Sequence, residues 1–273
     1  MKMRTSHFGF VNQIGQIAAA GYDSVELHIK EIMGFDHAEF QKAKKTLFDS
    51  GIPSDVFDNP LPLDVVVADP GFDFQFYTEY LKKAVDRTAQ MGCRYFVYGN
   101  GKTRSLPEEG DIAGATEKND QLIRVLCELA AEANITVLIE PLAAAICNRF
   151  LGIPENVEYA RKTGIPNLKT FLDYRWFLAG GHELSVIEQY ADYIHHVHID
   201  NPDHAFPKRL VPMPGDGHDY TPLFDILKKI CYKGIISYEA NTFENGFETD
   251  IKKGLELLQD NGIESYCTLK QAY

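Results

Sequence analysis

Short apolar runs that each end in a charged or coordinating residue recur through the second half of the chain. Four of these runs end at Glu140, Asp173, His198 and Glu239. A run of about four to six apolar or β-branched residues is typical of a buried strand. A charged side chain in a core is unfavourable unless it is paired or binds a metal ion. The pattern therefore predicts four buried strands that carry reactive groups at their carboxyl ends.

Helical periodicity alternates with these strand-like runs along the whole chain. The clearest helix has apolar residues at i, i+3, i+4, i+7, i+8 and i+11, which lie on one helical face. These residues are Leu122, Val125, Leu126, Leu129, Ala130 and Ala133. Further helices are predicted to begin at Ile153 and Thr221, because a proline follows each of them in the first turn. The other strand candidates cover residues 4–10, 23–28, 53–57 and 95–98.

Eight units of strand followed by helix predict an α/β protein with a single (β/α)8 TIM barrel over residues 1–273. An open, doubly wound sheet is the alternative. It usually carries a glycine-rich phosphate loop after its first strand, and no such loop follows the first strand of this sequence. In (β/α)8 barrels the chemistry lies at the carboxyl ends of the strands. We therefore expect the four strand-end residues to converge at one mouth of a barrel.

Charge and composition restrict the partners of the protein. A formal net charge of −12 argues against a nucleic-acid partner, which requires a basic face. The apolar runs are too short to span a membrane, and no signal-peptide pattern begins the sequence. Five scattered cysteines without a Cys-x-x-Cys pair are typical of reduced thiols. We expect a cytoplasmic protein with a small carbohydrate or polyol partner, and a homo-oligomer is compatible with these features.

The four strand-end residues form a typical set of metal ligands. Three carboxylates and one imidazole suit Mn²⁺, Mg²⁺ or Co²⁺ better than a structural zinc ion, which favours thiolates and a closed tetrahedron. We expect one divalent ion, with Mn²⁺ first and Mg²⁺, Co²⁺ or Zn²⁺ as alternatives. Such an ion with open positions can bind the vicinal oxygens of a hydroxy-ketone and acidify the neighbouring C–H bond.

Four further residues are predicted to contact the substrate. Glu26 and His28 end the second strand, where the alternative is a position on the rim. Arg209 lies in a long loop rich in proline and glycine, residues 200–219, and could clamp a substrate oxygen or phosphate; solvent exposure is the alternative. Trp176 offers a flat face for stacking on a sugar, and packing is the alternative for this lone tryptophan.

Side-chain alternation orders the histidines of the seventh strand. His196 and His198 share one face of the strand, and His195 lies on the opposite face. We expect His198 to point inward at the mouth of the barrel and His195 to pack against the outer helices.

Several stretches resemble the xylose-isomerase-like superfamily of sugar phosphate isomerases and epimerases, which also includes endonuclease IV. They are Ile-Glu-Pro-Leu at 139–142, residues 167–173, His-Val-His at 196–198, Pro-Gly-Asp-Gly at 214–217 and residues 234–239. The resemblance implies a TIM barrel with one divalent metal ion bound by Glu140, Asp173, His198 and Glu239. It also implies that Glu140 and Glu239 act as the acid/base pair of catalysis.

Two positions depart from the pattern of the ketose 3-epimerases in this superfamily. Those enzymes carry a second, substrate-binding glutamate six residues after the first one, where this chain has Ile146. They also carry a histidine three residues after the metal-binding aspartate, where this chain has Trp176. The resemblance therefore implies that the metal ligands are retained while the polar substrate contacts have changed, which argues against a typical free-ketose 3-epimerase.

The predicted function is a divalent-metal-dependent isomerase or epimerase of a sugar or sugar phosphate, acting by proton transfer through an enediolate. A lyase or dehydratase acting on an inosose, a dehydroshikimate or a C-glycoside begins with the same proton removal and is the alternative. A non-catalytic homologue that binds metal or sugar is a further alternative. A DNA-repair endonuclease would need several more histidines at the metal centre and a basic surface, and the sequence lacks a good match to either.

Overall fold

Eight parallel strands close into a barrel in sequential order, in a computed structural model that describes residues 3–263. The strands are β1 (Arg4–Gly9), β2 (Ser24–His28), β3 (Val56–Asp58), β4 (Tyr95–Tyr98), β5 (Thr136–Ile139), β6 (Leu168–Asp173), β7 (Ile194–Ile199) and β8 (Ile235–Tyr238). Each strand pairs with the next, and β8 pairs with β1 to close the barrel. The predicted (β/α)8 fold is confirmed.

Helices follow each strand on the outside of the barrel. They are α1 (Ile14–Ala20), α2 (Ile29–Gly34), α3 (His37–Ser50), α4 (Phe74–Ala89), α5 (Gly101–Arg104), α6 (Ile112–Glu132), α7 (Ile153–Thr163), α8 (Tyr174–Ala179), α9 (Ser185–Gln189), α10 (Thr221–Lys229) and α11 (Phe247–Asp260). Short 3-10 helices occupy Val11–Gln13 and Ala191–Tyr193. Among the described helices, none is long and apolar enough to cross a membrane.

The helix signals in the sequence correspond to helices in the structure. The apolar stripe that begins at Leu122 lies on α6 and ends at its C-cap residue, Ala133, and α7 and α10 begin at Ile153 and Thr221 with proline in the first turn. Between β6 and β7 the helical segments are short: α8 directly after β6, then α9 and the 3-10 helix Ala191–Tyr193.

The interior of the barrel is filled by its own apolar cluster. Val56, Val97, Leu138, Phe171 and Ile235 pack together and come from five different strands. A much larger cluster lies between the strands and the surrounding helices. Because the interior cluster fills the barrel, polar side chains gather above it, at the carboxyl ends of the strands.

A register shift between β6 and β7 changes where the histidines of β7 point. Between the partners of Thr170 and Leu172, β6 advances by two residues and β7 by three, so β7 contains one extra residue. The ring of His195 lies 6.3 Å from that of Tyr95 on β4. Because β4 and β7 are not neighbours in the sheet, these side chains meet through the barrel interior. The expectation that His195 packs against the outer helices is therefore wrong.

Candidate metal centre

The side chains at the carboxyl ends of β5, β6, β7 and β8 meet at the mouth of the barrel. Glu140, Asp173, His198 and Glu239 each offer one oxygen or nitrogen atom, and these atoms all lie within 4.8 Å of one another. Glu140, Asp173 and His198 are buried, whereas Glu239 is partly exposed. The structure thus brings together the four residues that the sequence predicted to converge.

Glu26 and His196 hold the ring of His198 in place. Nε2 of His198 lies 2.9 Å from Glu26 Oε1, and Nε2 of His196 lies 3.0 Å from Glu26 Oε2. Burial favours the neutral form of Glu26, but the charges and hydrogen bonds of the two histidines outweigh it and lower the pKa of this carboxyl. An ionised carboxylate can only accept hydrogen bonds, so both rings donate their Nε2–H groups to it.

Glu26 does not occupy the substrate-contacting position that the sequence suggested. Its side chain has no exposed surface, and both of its oxygens bind histidines. The carboxylate instead fixes the orientation and tautomer of His198, as carboxylates next to metal-binding histidines commonly do. The sequence-based expectation for Glu26 is corrected accordingly.

The other nitrogen of His198 is suited to bind a cation. Nδ1 is buried, has no hydrogen-bond partner among residues 3–263, and lies 3.1 Å from Glu239 Oε2. With the proton on Nε2, a neutral ring presents a lone pair toward that carboxylate oxygen, so a cation placed between them would be bound by both groups. Adjacent ligands about 2.1 Å from an octahedral cation lie about 3.0 Å apart. The donor set and this spacing therefore fit a divalent ion.

The carboxylate of Glu140 is enclosed by its surroundings. Arg104 is fully buried and donates hydrogen bonds to the carbonyl oxygens of Tyr98, at 3.0 Å, and Glu140, at 2.6 Å. The carboxylate itself lies against Gly99, where there is no room for a Cβ atom. Burial, together with the charge of Asp173, raises the pKa of Glu140 to about 8.

Arg209 reaches into the acidic cluster from the loop after β7. Its Nη2 donates to Asp173 Oδ2 at 2.8 Å, its Nε lies 3.1 Å from Asp200 Oδ2, and its Nη1 contacts Glu239 Oε2. The side chain is buried, so solvent exposure, the alternative for Arg209, does not hold. Its guanidinium group therefore places a fixed positive charge beside Asp173 and Glu239, two of the four residues that converge at the mouth of the barrel.

Arg175 anchors the start of the loop that carries Arg209. Its Nε donates to both oxygens of Asp200, at 2.7 and 3.0 Å. Its terminal nitrogens donate to the backbone carbonyl of His204, at 2.6 Å, and to that of Asn201. Asp200 also lies 3.1 Å from Nε of Arg209, so Arg175 links α8 to the loop that carries Arg209 and to Arg209 itself.

A cavity of about 240 Å³ opens beside the converging residues. Glu140, Glu239 and Arg209 form its charged side. Ile146 and Trp176, the two positions that depart from the ketose 3-epimerase pattern, also line it. The changed residues thus face the same space as the proposed metal ligands.

His28 lies at the end of β2 but outside the lining of this cavity. Its Nδ1 is 2.6 Å from Asp58 Oδ1, and its ring packs edge-on against Phe8 with 4.2 Å between the centroids. A contact between His28 and a substrate stays a prediction.

Several residues that shape the site were missed in the sequence. Gly99 follows β4 directly, and a glycine at the end of a strand often marks the close approach of another group. Arg104 and Arg175 act through backbone carbonyls that are distant in sequence, and no local pattern indicates such contacts.

Comparison with known proteins defines the class of this protein. The profile of the family described as "Xylose isomerase-like TIM barrel" matches residues 14–261. The chain therefore belongs to the xylose isomerase-like TIM barrel family.

Individual relatives are distant in sequence. The chain is 22% identical over 188 residues to a 3-dehydroshikimate dehydratase from Bacillus anthracis, and the match covers 65% of this chain and 63% of the dehydratase. The structure of a 3-keto-D-glucoside 4-epimerase from E. coli has a TM-score of 0.78 at 17% identity, over 94% of this chain and 99% of that one. A D-allulose 3-epimerase from Methylomonas sp. has a TM-score of 0.79 at 17% identity, over 95% and 97%. At these identities the structural similarity establishes a shared fold.

Proposed function

We propose that this protein is a divalent-metal-dependent isomerase or epimerase that moves a proton on a hydroxy-ketone sugar or sugar phosphate. The observation that carries the proposal is the convergence of three carboxylates and one imidazole, with the buried Nδ1 of His198 facing Glu239. Family membership and the similar folds of two sugar epimerases support the same class.

Glu140, Asp173, His198 and Glu239 would hold the ion, with Mn²⁺ as the first choice and Mg²⁺, Co²⁺ or Zn²⁺ as alternatives. When bound, the ion would stabilise negative charge that develops on the substrate oxygens.

The two glutamates are the proposed acid and base. Glu239 is the more exposed of the pair and lines the cavity, so it can reach a substrate C–H bond next to a carbonyl. Removal of that proton gives an enediolate. Glu140 lines the same cavity and can return a proton, to the same carbon in an epimerase or to the adjacent carbon in an isomerase.

Arg209 is the proposed substrate-orienting residue. Its guanidinium lies in the cavity lining beside Glu239 and presents donors suited to substrate oxygens or a phosphate. Asp173 and His198 are proposed as ligands alone, because Glu140 and Glu239 line the cavity and these two residues do not.

Deuterium incorporation from D₂O tests the proposal, with ketoses, ketose phosphates, 3-ketoglucosides and inososes as substrates and Mn²⁺ in excess. We expect exchange in the wild type and a loss of about 10²- to 10⁴-fold in Glu239→Gln. The amide can still offer an oxygen to the ion, but it cannot accept a proton at neutral pH.

Glu244→Gln is the matched control, because it makes the same change at an exposed glutamate that pairs with Lys208. It should leave the exchange rate unchanged. Undiminished exchange in Glu239→Gln would show that Glu239 is not the base. Tight Mn²⁺ binding without exchange on any substrate would favour a non-catalytic homologue.

A dehydratase is the second candidate, because the sequence matches a 3-dehydroshikimate dehydratase over 188 residues. The same base would remove the first proton, and a hydroxyl group would then leave as water. Incubation with 3-dehydroshikimate separates the two reactions, because dehydration produces an aromatic compound with new ultraviolet absorbance. Deuterium exchange without that absorbance favours the epimerase or isomerase.

A further inference from the structure

One side of the cavity above the proposed metal centre is apolar. Leu63, Leu142, Ile146, Trp176 and Phe206 line it, and we refer to them as the apolar wall. They come from the loops after β3, β5 and β7 and from α8, so four separate segments contribute apolar side chains to the lining of one cavity. Such convergence at a cavity is typical of a ligand contact.

Part of the apolar wall is supported by a small buried cluster of side chains. Leu142 and Trp176 belong to a small buried cluster with Ala143 and Cys147, and Ile146 packs against it. This cluster is separate from the main core of the protein. The wall therefore does not depend on a ligand for its shape.

The outer part of the apolar wall is exposed. Phe206 is 52% exposed and Leu63 is 41% exposed, although both are large apolar side chains. The ring of Phe206 lies against that of Trp176, with 5.4 Å between the centroids. The cost of this exposure would fall if an apolar group covered both residues.

The charged and apolar sides of the cavity meet at Trp176. The guanidinium carbon of Arg209 lies 5.7 Å from the centre of the tryptophan ring. A free sugar carries hydroxyl groups around its whole ring, and those facing the apolar wall would lose hydrogen bonds to water without replacement. A hydroxy-ketone with one apolar substituent matches both sides.

The size of the cavity also fits a ligand that consists of a polar part and an apolar substituent. Its volume of about 240 Å³ lies below the usual range of about 300–1,000 Å³ for drug-sized ligands. One sugar ring is the size of ligand that such a space suits. A substituent on the ring would then extend outward, over Leu63 and Phe206.

We propose that the substrate is a sugar-derived hydroxy-ketone with an apolar, ring-containing substituent, such as an aryl 3-ketoglycoside, and that the apolar wall selects it. This inference rests on the proposed function, because the charged side of the cavity must bind the ketone. The apolar wall contributes to substrate binding and takes no part in the chemical step.

The probes are phenyl and methyl 3-keto-β-D-glucoside, which share the sugar and differ in the substituent. Trp176 is the only tryptophan in the chain, so its fluorescence reports binding at the apolar wall directly. With the Mn²⁺-loaded protein, we expect the phenyl compound to bind about ten- to a hundredfold more tightly than the methyl compound, from burial of the aromatic ring. Calorimetry on the same samples gives the two Kd values independently.

Two variants test whether the apolar wall causes the preference. Ile146→Glu places a carboxylate on the wall, and Phe206→Ser removes a ring that is 52% exposed. Both should bring the ratio of the Kd values close to one, and Phe206→Ser should leave Mn²⁺ affinity unchanged. Ile112→Glu is the control at an exposed isoleucine of α6, and it should keep the wild-type ratio.

The possible outcomes separate this inference from the proposed function. Equal binding of the two probes by the wild type, or an unchanged ratio in Phe206→Ser, would overturn the role of the apolar wall. Deuterium exchange with the methyl probe would still support the proposed function in that case. A strong preference for the phenyl probe without exchange on either would support the apolar wall and contradict the proposed function.

Discussion

Gly99→Ala should separate metal binding from folding. A Cβ atom at Gly99 would lie 2.2 Å from Glu140 Oε2. Carbon atoms approach oxygen to about 3.3 Å even in favourable contacts, so the carboxylate must withdraw by about 1 Å. Metal–ligand distances tolerate deviations of only about 0.2 Å. If Glu140 is a ligand, a methyl group on a neighbouring strand end should therefore disrupt the metal centre.

The fold should survive this substitution. The atom that the new methyl group meets is the end of a flexible side chain, and the other close neighbour is Val97 Cγ1 at 3.3 Å. We therefore expect the Tm of the metal-free variant to change by no more than about 4 °C. Mn²⁺ affinity should fall by at least about 10- to 100-fold, by analogy with the loss of groups that position metal ligands.

Calorimetric titration with Mn²⁺ and thermal unfolding of the metal-free protein measure the two effects separately. Gly15→Ala is the matched control, because a Cβ atom there meets open space within α1. It should leave Mn²⁺ affinity unchanged. Wild-type affinity in a folded Gly99→Ala protein would refute the assignment of Glu140 as a ligand. A large loss of Tm would instead show that the carboxylate cannot move and that its packing is structural.

Three further predictions concern groups around the centre. Glu26→Gln should weaken Mn²⁺ binding about 10- to 100-fold in calorimetry, because the amide no longer fixes the tautomer of His198; unchanged affinity would exclude this role. Arg209→Met should lower the Tm of the metal-free protein and enlarge the gain in Tm on adding Mn²⁺, because buried carboxylates lose their cation; equal gains in both proteins would contradict it. Burial alone lowers the pKa of His28, but the charge of Asp58 outweighs it and raises this pKa above the ordinary value of 6.5. The stability from that pair is thus complete below about pH 6.5 and is lost as the pH rises through the raised pKa. Urea unfolding of the wild type and Asp58→Asn across this range should show the decline in the wild type alone.

Strand positions and the polar end of the barrel follow from local sequence. Apolar runs that end at Asp173 or just before Glu140 and Glu239 predict both the strands and the edge at which their last side chains meet. In a parallel barrel every strand ends at the same mouth, so the four residues could be brought together without knowledge of any contact. The positions of Ile146 and Trp176 beside them follow instead from the resemblance to the ketose 3-epimerases, which carry substrate-binding residues at these two positions.

The partners of these residues were decided by closure of the barrel and by its register. Glu26 meets His198 because side chains of the non-adjacent strands β2 and β7 reach each other through the barrel interior, and the one-residue shift in β7 turns His195 inward. Gly99 meets Glu140 because β4 and β5 are neighbours whose ends are level. Periodicity in a sequence shows which face a side chain occupies on its own strand. What that side chain meets depends on the shear and the distance across the closed barrel, and these are properties of all eight strands together.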